Sequence, residues 1–404
     1  MQMASCRSFA NSKIVKPLTY AVFSVITTLT LLMNFNFYSE TIPHSSILSA
    51  LNPDLKYILV WTNPTRDPIM YLGVGVNYFF KRHCPVKYCY VSSNKRLFKD
   101  ISSYDAVLFH GPDLNNNPSF LPKSRSPRQK YIFASMESWG YYQKCNRMYN
   151  GYFNWTWTYK LDSDEYYGYI VIKNRSGHVI GPRENMHWEN VKDMKPINDR
   201  LKQKLSKKKF AAAWFVSNCR TQSERESAAK MLKIELSKYN MKLDIYGACG
   251  TKRCPRDDMA ECLRKVERDY YFYLSFENSI SEDYVTEKLL HALKHYAVPV
   301  VYGGANYTRF MPDGTYLNVL TQPMRDLAKK MVNIIHDKQK YYNFFKWHNS
   351  YSYHHVNESP ETNPYCKLCA LVNNEQLFRK TSVYYNFTKW WNPRHSCFES
   401  EIFV

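Results

Sequence analysis

Glycine-rich phosphate loops, acidic side chains and long apolar runs are all scarce in this 404-residue chain. Neither G-x-G-x-x-G nor G-x-x-x-x-G-K-[ST] occurs. Any phosphate ligand must therefore be held by helix ends and side chains. Acids are outnumbered, 35 Asp and Glu against 55 Lys and Arg, giving a formal net charge of +20. Such a surplus asks for an anionic partner, and nucleic acid is the first class to consider. Yet the basic residues are spread along the chain, with one clear cluster at Lys202–Lys209. The N-terminus also directs the chain into the secretory pathway, so no nucleic-acid partner is expected. The one long uncharged run is Leu18–Phe37, and about 20 apolar residues span a bilayer. Arg7, Lys13 and Lys16 precede it and Glu40 follows. The positive-inside rule places residues 1–17 in the cytosol and the chain beyond the span in the lumen. A cleaved signal peptide is the rival reading, but no A-x-A pattern follows at Asn34–Ser39. Residues 18–37 are therefore read as an uncleaved signal-anchor and 38–54 as a stem.

What is abundant points the same way. A hydrophobic content of 45% and an aromatic content of 16% are ample for packed cores and exclude a disordered chain. The length suits two or three domains. Only Cys6 of the 11 cysteines precedes the span, and the others can pair in an oxidising lumen. Cys84/Cys89 and Cys366/Cys369 stand out as close pairs, joined by the crowded set Cys249, Cys254 and Cys262. A zinc site built on Cys366-Lys-Leu-Cys369 is the rival. The sequons at Asn154, Asn174, Asn306, Asn357 and Asn386 fit a glycoprotein.

The stretch Tyr271–Tyr302 organises the chain. An aromatic strand, Tyr271–Phe276, leads into the polar loop Glu277–Ser281. The spacing then predicts a helix with Val285, Leu289, Leu293 and Tyr296 on one stripe and Glu282 and Asp283 in its first turn. Val298–Tyr302 is the next strand. This is a β-loop-α-β unit of a parallel sheet, which binds ligands at its strand ends. Tyr284, Glu287 and Lys288 share the helix's N-terminal end, where backbone N–H groups and the lysine favour an anion. Solvated surface residues are the plainer reading.

Further strands are expected at Lys56–Trp61, Val86–Val91, Ala106–Phe109, Tyr131–Ala134, Phe210–Val216 and Leu243–Cys249, with helix-compatible spacers in the first half. His110-Gly-Pro and the loop Pro118–Pro127 interrupt the pattern. Glu137 falls directly after a strand, where open α/β sheets carry functional residues. Asp162-Ser-Asp164 is a D-x-D, a weak metal signal. Arg225 opens a helix after the loop Ser217–Glu224, and a guanidinium suits a diphosphate.

The run FYLSFENSISEDYVTEKLLHALKHYAVPVVYGGANYTRFMP resembles the signature of the α-1,3-fucosyltransferases, and the likeness extends from about Leu55 to Cys369. The resemblance implies a GDP-fucose-dependent, inverting enzyme of glycosyltransferase family 10, held in the Golgi membrane as a single-pass type II protein with a lumenal catalytic part. It implies an α/β fold of GT-B architecture: an acceptor-side Rossmann-like domain at 55–185, a donor domain at 205–365 and a disulfide-bonded aromatic tail at 366–404. On that pattern Glu137 is the catalytic base, Arg225 and Lys288 hold the donor pyrophosphate, Asn278 and Glu287 contact fucose or ribose, and Tyr284 lines the donor pocket. The D-x-D is carried without an obligatory metal, so no cofactor is required and Mn²⁺ is at most a stimulant. The C-terminal C-x-L-C pair is disulfide-bonded, locally or to Cys84 and Cys89. Asn154 and Asn306 fall in motifs near the cleft and are the poorest glycan sites. The sequence after Glu137 is Ser-Trp-Gly-Tyr-Tyr, without the hydroxyl-rich run of vertebrate relatives, so acceptor choice is open between core N-glycan GlcNAc and lactosamine. Two rivals stand: a metal-dependent transferase of GT-A type using Asp162 and Asp164, and a non-catalytic glycan-binding homologue.

Overall fold

The computed structural model describes residues 54–392 together with Asn52 and Cys397. The cytosolic tail, the signal-anchor and residues 38–51 of the stem lie outside the described residues, as does Cys6. Among the described residues no helix is long and apolar enough to cross a membrane.

The first sheet contains β1 (Lys56–Val60), β2 (Cys89–Ser92), β3 (Ala106–His110), β4 (Lys130–Ser135), β5 (Trp155–Thr158) and β6 (Glu165–Tyr166). Its order is β2-β1-β3-β4-β5-β6, parallel throughout. Its inner strands are buried on both faces, so they read as continuous apolar runs rather than alternating ones. The expected helical spacers are largely replaced. Between β3 and β4 the chain makes only short 3-10 turns, at Gly111–Asp113 and Pro118–Phe120. Proline within these turns removes the N–H donors that a regular helix would use. Cover for the sheet comes instead from the far end of the chain. The helix Pro364–Asn373 buries Tyr365, Leu368 and Val372 in the same core as Ile58, Leu108 and Trp157. Disulfides Cys84–Cys366 and Cys89–Cys369 lock it there. The C-x2-C pair therefore bridges to the N-terminal cysteines and does not close on itself.

A small antiparallel sheet of order β14-β7-β8 joins β7 (Ile170–Asn174) and β8 (Val179–Gly181) to β14 (Tyr351–His355). The second large sheet is formed by β9 (Phe210–Phe215), β10 (Leu243–Tyr246), β11 (Tyr270–Phe276), β12 (Val298–Tyr302) and β13 (Leu317–Asn318). Its order is β10-β9-β11-β12-β13, again all parallel. The helices Arg225–Ser237 and Met324–His336 pack their apolar stripes, Ala228, Leu232 and Leu236 with Leu327 and Met331, into the core beneath it.

One expectation is corrected. The helix after the Glu277 loop begins at Glu287, not at Glu282. Asp283 has a left-handed φ of 57° and is buried. Its carboxylate pairs with Arg309 at 2.7 Å and accepts the Leu161 N–H at 3.2 Å. Tertiary partners draw this acid inward, and the turn that presents it is incompatible with helix.

Candidate functional site

The site is built at the C-terminal ends of the two parallel sheets. Strand β4 ends at Ser135, whose Oγ–H donates to the Glu137 carbonyl at 2.8 Å and turns the chain sharply. The Glu137 side chain enters a cavity of about 510 Å³ that is also lined by Asp67, Tyr71, His110, Tyr169 and His355. Burial pushes its carboxyl above the usual range, opposed by a hydrogen bond from Tyr284 and the charge of Lys288. Such a carboxylate is a stronger base than a free one. Gly140 follows in the same loop. A Cβ there would come within 2.3 Å of Ser279 Oγ, so glycine allows this loop to touch the loop after β11.

Strand β11 ends at Phe276 and Glu277 follows it directly, whereas Glu137 is the second residue after β4. Glu277 is 1% exposed. Its carboxylate accepts from the Thr286 N–H at 2.9 Å and faces Lys288 Nζ at 3.1 Å. Lys288 also donates to Thr286 Oγ1 at 2.6 Å and to Glu287 at 3.2 Å. Burial works against the lysine's charge, but Glu277 and Glu287 outweigh it and raise its pKa. Lys288 is thus held cationic and oriented by two acids.

Arg225 is the first residue of its helix and is 4% exposed. Its guanidinium donates to the carbonyls of Phe276 at 2.8 Å and Asn218 at 3.2 Å. A second cavity, about 320 Å³, is lined by Arg225, Asn278, Glu287, Lys288, Asn218 and His291. Arg225 Nε and Asn278 Oδ1 in its wall are buried without a hydrogen-bond partner. Buried polar atoms are ordinarily satisfied, so the pair marks where a polar ligand completes the site. Burial pushes the His291 imidazole down to about 4, leaving it neutral in this wall.

Four of the residues singled out from the sequence, Arg225, Asn278, Glu287 and Lys288, meet in this smaller cavity, and Glu137 in the larger. Tyr284 is not among the residues lining the smaller cavity. It is 2% exposed, its hydroxyl donates to Glu137 Oε2 at 3.2 Å, and its ring lies 5.0 Å from that of Tyr159. It therefore links the loop of one sheet to Glu137 on the other. Sequence reading missed Glu277, although it directly follows its strand. A further cavity, about 900 Å³, lies at the opposite end of the first sheet's strands, beside Lys56 and Lys130, the first residues of β1 and β4.

Asp162 and Asp164 have structural partners. Asp162 Oδ2 accepts from Trp390 Nε1 at 2.8 Å. Asp164 Oδ2 accepts from the Thr156 N–H at 2.8 Å and from Tyr384 O–H at 2.9 Å. These bonds seat the aromatic tail, whose Trp391 is 1% exposed against Phe133. No group of three metal-ligating side chains is found among the described residues. Of the sequons, Asn154 is withdrawn as a glycan site. Its amide is buried, accepts the Tyr131 N–H at 2.8 Å and donates to the Ser382 carbonyl at 2.8 Å. Asn306, Asn357 and Asn386 are exposed and Asn174 half-buried.

Comparison with known proteins is consistent along most of the chain. The model for "Glycosyltransferase family 10 (fucosyltransferase) C-term" matches residues 205–390, and that for "Fucosyltransferase, N-terminal" matches 53–170. Alpha-(1,3)-fucosyltransferase C of Drosophila melanogaster is 36% identical over 76% of this chain and 70% of its own length. Glycoprotein 3-alpha-L-fucosyltransferase A of the same organism is 30% identical over 80% of this chain, which spans 58% of that relative. A solved alpha1,3-fucosyltransferase with GDP-fucose is 14% identical, covers 82% of this chain and 94% of its own, and has a TM-score of 0.46.

Proposed function

Since the chain belongs to glycosyltransferase family 10, the fucosyltransferases, we propose that it transfers L-fucose from GDP-β-L-fucose, with inversion, in α-1,3 linkage to a GlcNAc of glycoprotein glycans. The observation that carries this reading is the smaller cavity: a buried guanidinium and a preset ammonium beside two unsatisfied polar atoms. Those groups suit a sugar diphosphate. Arg225 and Lys288 hold the pyrophosphate, and Asn278 and Glu287 hold hydroxyls of ribose or fucose.

The acceptor enters the larger cavity. Glu137 takes the proton of its hydroxyl as the oxygen forms a bond to fucose C1. The C1–O bond to GDP breaks with its electron pair, and the departing negative charge develops against Lys288 and Arg225. These cations supply what a metal supplies elsewhere, and Asp162 and Asp164 are engaged with the tail. The reaction is therefore read as independent of metal, with the two sheets as the halves of a GT-B enzyme. The cellular setting follows from the N-terminal segment: a type II anchor in the Golgi membrane with the catalytic part lumenal.

The test uses the full chain in mild detergent with GDP-fucose and either a biantennary N-glycan, a lactosamine oligosaccharide or no acceptor. Fucose on one glycan, surviving EDTA and lost in Glu137→Gln, is the expected result. Activity abolished by EDTA and by Asp164→Ala would establish the metal-dependent rival instead. GDP-fucose binding without transfer to either glycan would favour the non-catalytic homologue.

A further inference from the structure

Among the described residues, Asn357 is the one sequon asparagine in the lining of the cavity that Glu137 enters. Strand β14 ends at His355, and Val356–Glu358 makes a single 3-10 turn beyond it. A capping box fixes that turn: His355 Nδ1 accepts the Asn357 N–H at 3.2 Å, and Glu358 Oε1 accepts the His355 N–H at 3.0 Å. Val356 is 2% exposed and roots the turn in the cavity wall. Asn357 itself is exposed, so it stands at the rim. Asn357-Glu-Ser359 is a complete sequon. Its Oδ1 accepts from Asn363 Nδ2 at 3.2 Å, and among the described residues its own Nδ2 donates no hydrogen bond. Glycosylation uses Nδ2 and leaves the bond to Oδ1 in place. Asn154 differs at that atom, because its Nδ2 is committed to the Ser382 carbonyl. Asn306 and Asn386 are as exposed as Asn357 but lie outside the lining. A cavity of about 510 Å³ is the size of a site for one small ligand. A branched glycan hung on its rim is bulky against that volume and competes with the acceptor for the mouth.

We propose that Asn357 carries an N-linked glycan that stands over the mouth of this cavity and acts as a size filter, admitting a free oligosaccharide and hindering a glycan held on a folded protein. This rests on the readings of the cavity as the acceptor site and of the catalytic part as lumenal. An occluding group lowers apparent affinity by the fraction of time that the mouth is open and leaves the bound complex untouched. Its effect therefore falls on KM and not on kcat. A glycan that covers the mouth about four-fifths of the time raises KM about fivefold for an acceptor that needs the whole opening. A small sugar that slips in beside it pays little.

The experiment expresses the full chain in cultured animal cells as wild type, Asn357→Gln, Ser359→Ala and Ser359→Thr. Peptide mass spectrometry reads occupancy at Asn174, Asn306, Asn357 and Asn386. Kinetics compare a free biantennary N-glycan with the same glycan on a folded glycoprotein, with GDP affinity and thermal melting measured beside them. Asn357→Gln gives up the bond from Asn363, and Ser359→Ala the one between Ser359 and Thr362 at 3.1 Å. The two variants share only the lost sequon, and Ser359→Thr keeps it. Asn357 should be occupied in wild type and Ser359→Thr. Both sequon-free variants should lower KM for the glycoprotein by about fivefold, with kcat, GDP affinity and the KM of the free glycan unchanged. Ser359→Thr should behave as wild type. A glycan on Asn306 or Asn386 with none on Asn357 would overturn the proposal. So would an occupied Asn357 whose removal leaves the glycoprotein KM unchanged, raises it, or lowers KM equally for both acceptors. Glycan at none of the four positions would overturn the lumenal reading and the proposal with it. If wild type transfers no fucose to either acceptor, the transfer reading fails by itself. The filter is then judged on binding of the glycoprotein, where equal affinity for wild type and Asn357→Gln counts against it.

Discussion

The two parallel sheets each carry an acid just after a strand and use it in opposite ways. Glu137 follows β4 and Glu277 follows β11. Burial raises the pKa of both. Glu277 is matched by an ammonium at 3.1 Å and two groups of Thr286. Among the described residues the Glu137 carboxylate accepts one hydrogen bond, from Tyr284 at 3.2 Å, and the residue helps line a cavity. A fully matched carboxylate is scaffold: it holds Lys288 in place. A nearly bare one keeps its basicity for a substrate proton. The sheets differ in their staples as well. The first depends on disulfides spanning 282 and 280 residues, the second on Cys219–Cys249 and Cys254–Cys262, spanning 30 and 8.

The comparison breaks most visibly at the bare acid. Glu137→Gln should cut kcat by about a thousandfold, the scale of a lost general base, with GDP-fucose affinity unchanged by titration calorimetry. Glu277→Gln should weaken donor binding instead. If both lowered only kcat, the division of labour between the acids would be wrong.

The staples come next. Replacing Cys89 and Cys369 together by serine should destabilise the first sheet by about 2–5 kcal/mol. Denaturant melts followed by GDP binding should show the donor site outlasting that loss. Simultaneous loss of both would mean that the two sheets unfold as one.

Lys288→Met strands Glu277 as a buried charge and should cost about 3 kcal/mol in addition to activity. Adding Glu277→Gln should recover the melting temperature without recovering transfer. A double variant no more stable than the single one would show that the pair does not matter to folding.

The smallest effect is on pH dependence. As the proposed base Glu137 works ionised, so kcat/KM should fall as pH drops through its raised pKa. Tyr284 favours the ionised form by donating to it. Tyr284→Phe should therefore move the acid limb to still higher pH, with a loss of up to about tenfold at neutrality. A limb that moves to lower pH would show that the tyrosine does not donate to the base.

Much of this was legible in the residues. Apolar runs such as Tyr131–Ala134 and Tyr271–Phe276 form strands wherever they are buried, because a strand covered on both faces has no other composition open to it. Arg225 and Lys288 could be named as cations in the first turn of a helix that follows a strand, helped by the family motif, whereas Asn278 and the role of Glu287 came only through the resemblance to the fucosyltransferases. Local pattern failed where distant partners decided. The Glu282–Thr286 segment reads as helix, but Arg309 and Leu161 hold Asp283 in a turn. Asn154 begins a sequon, poor as a glycan site on the family pattern, and Tyr131 and Ser382 have taken its amide.

Strand runs, the order of alternating elements and the residue types at strand ends follow from the sequence, since each depends on neighbours a few positions away. The pairing of Cys366 and Cys369 with Cys84 and Cys89 and the use of Tyr284 as a partner for Glu137 were decided only by tertiary structure. Each depends on which groups meet after the chain has crossed between the sheets, and burial makes those meetings strong enough to override local preference.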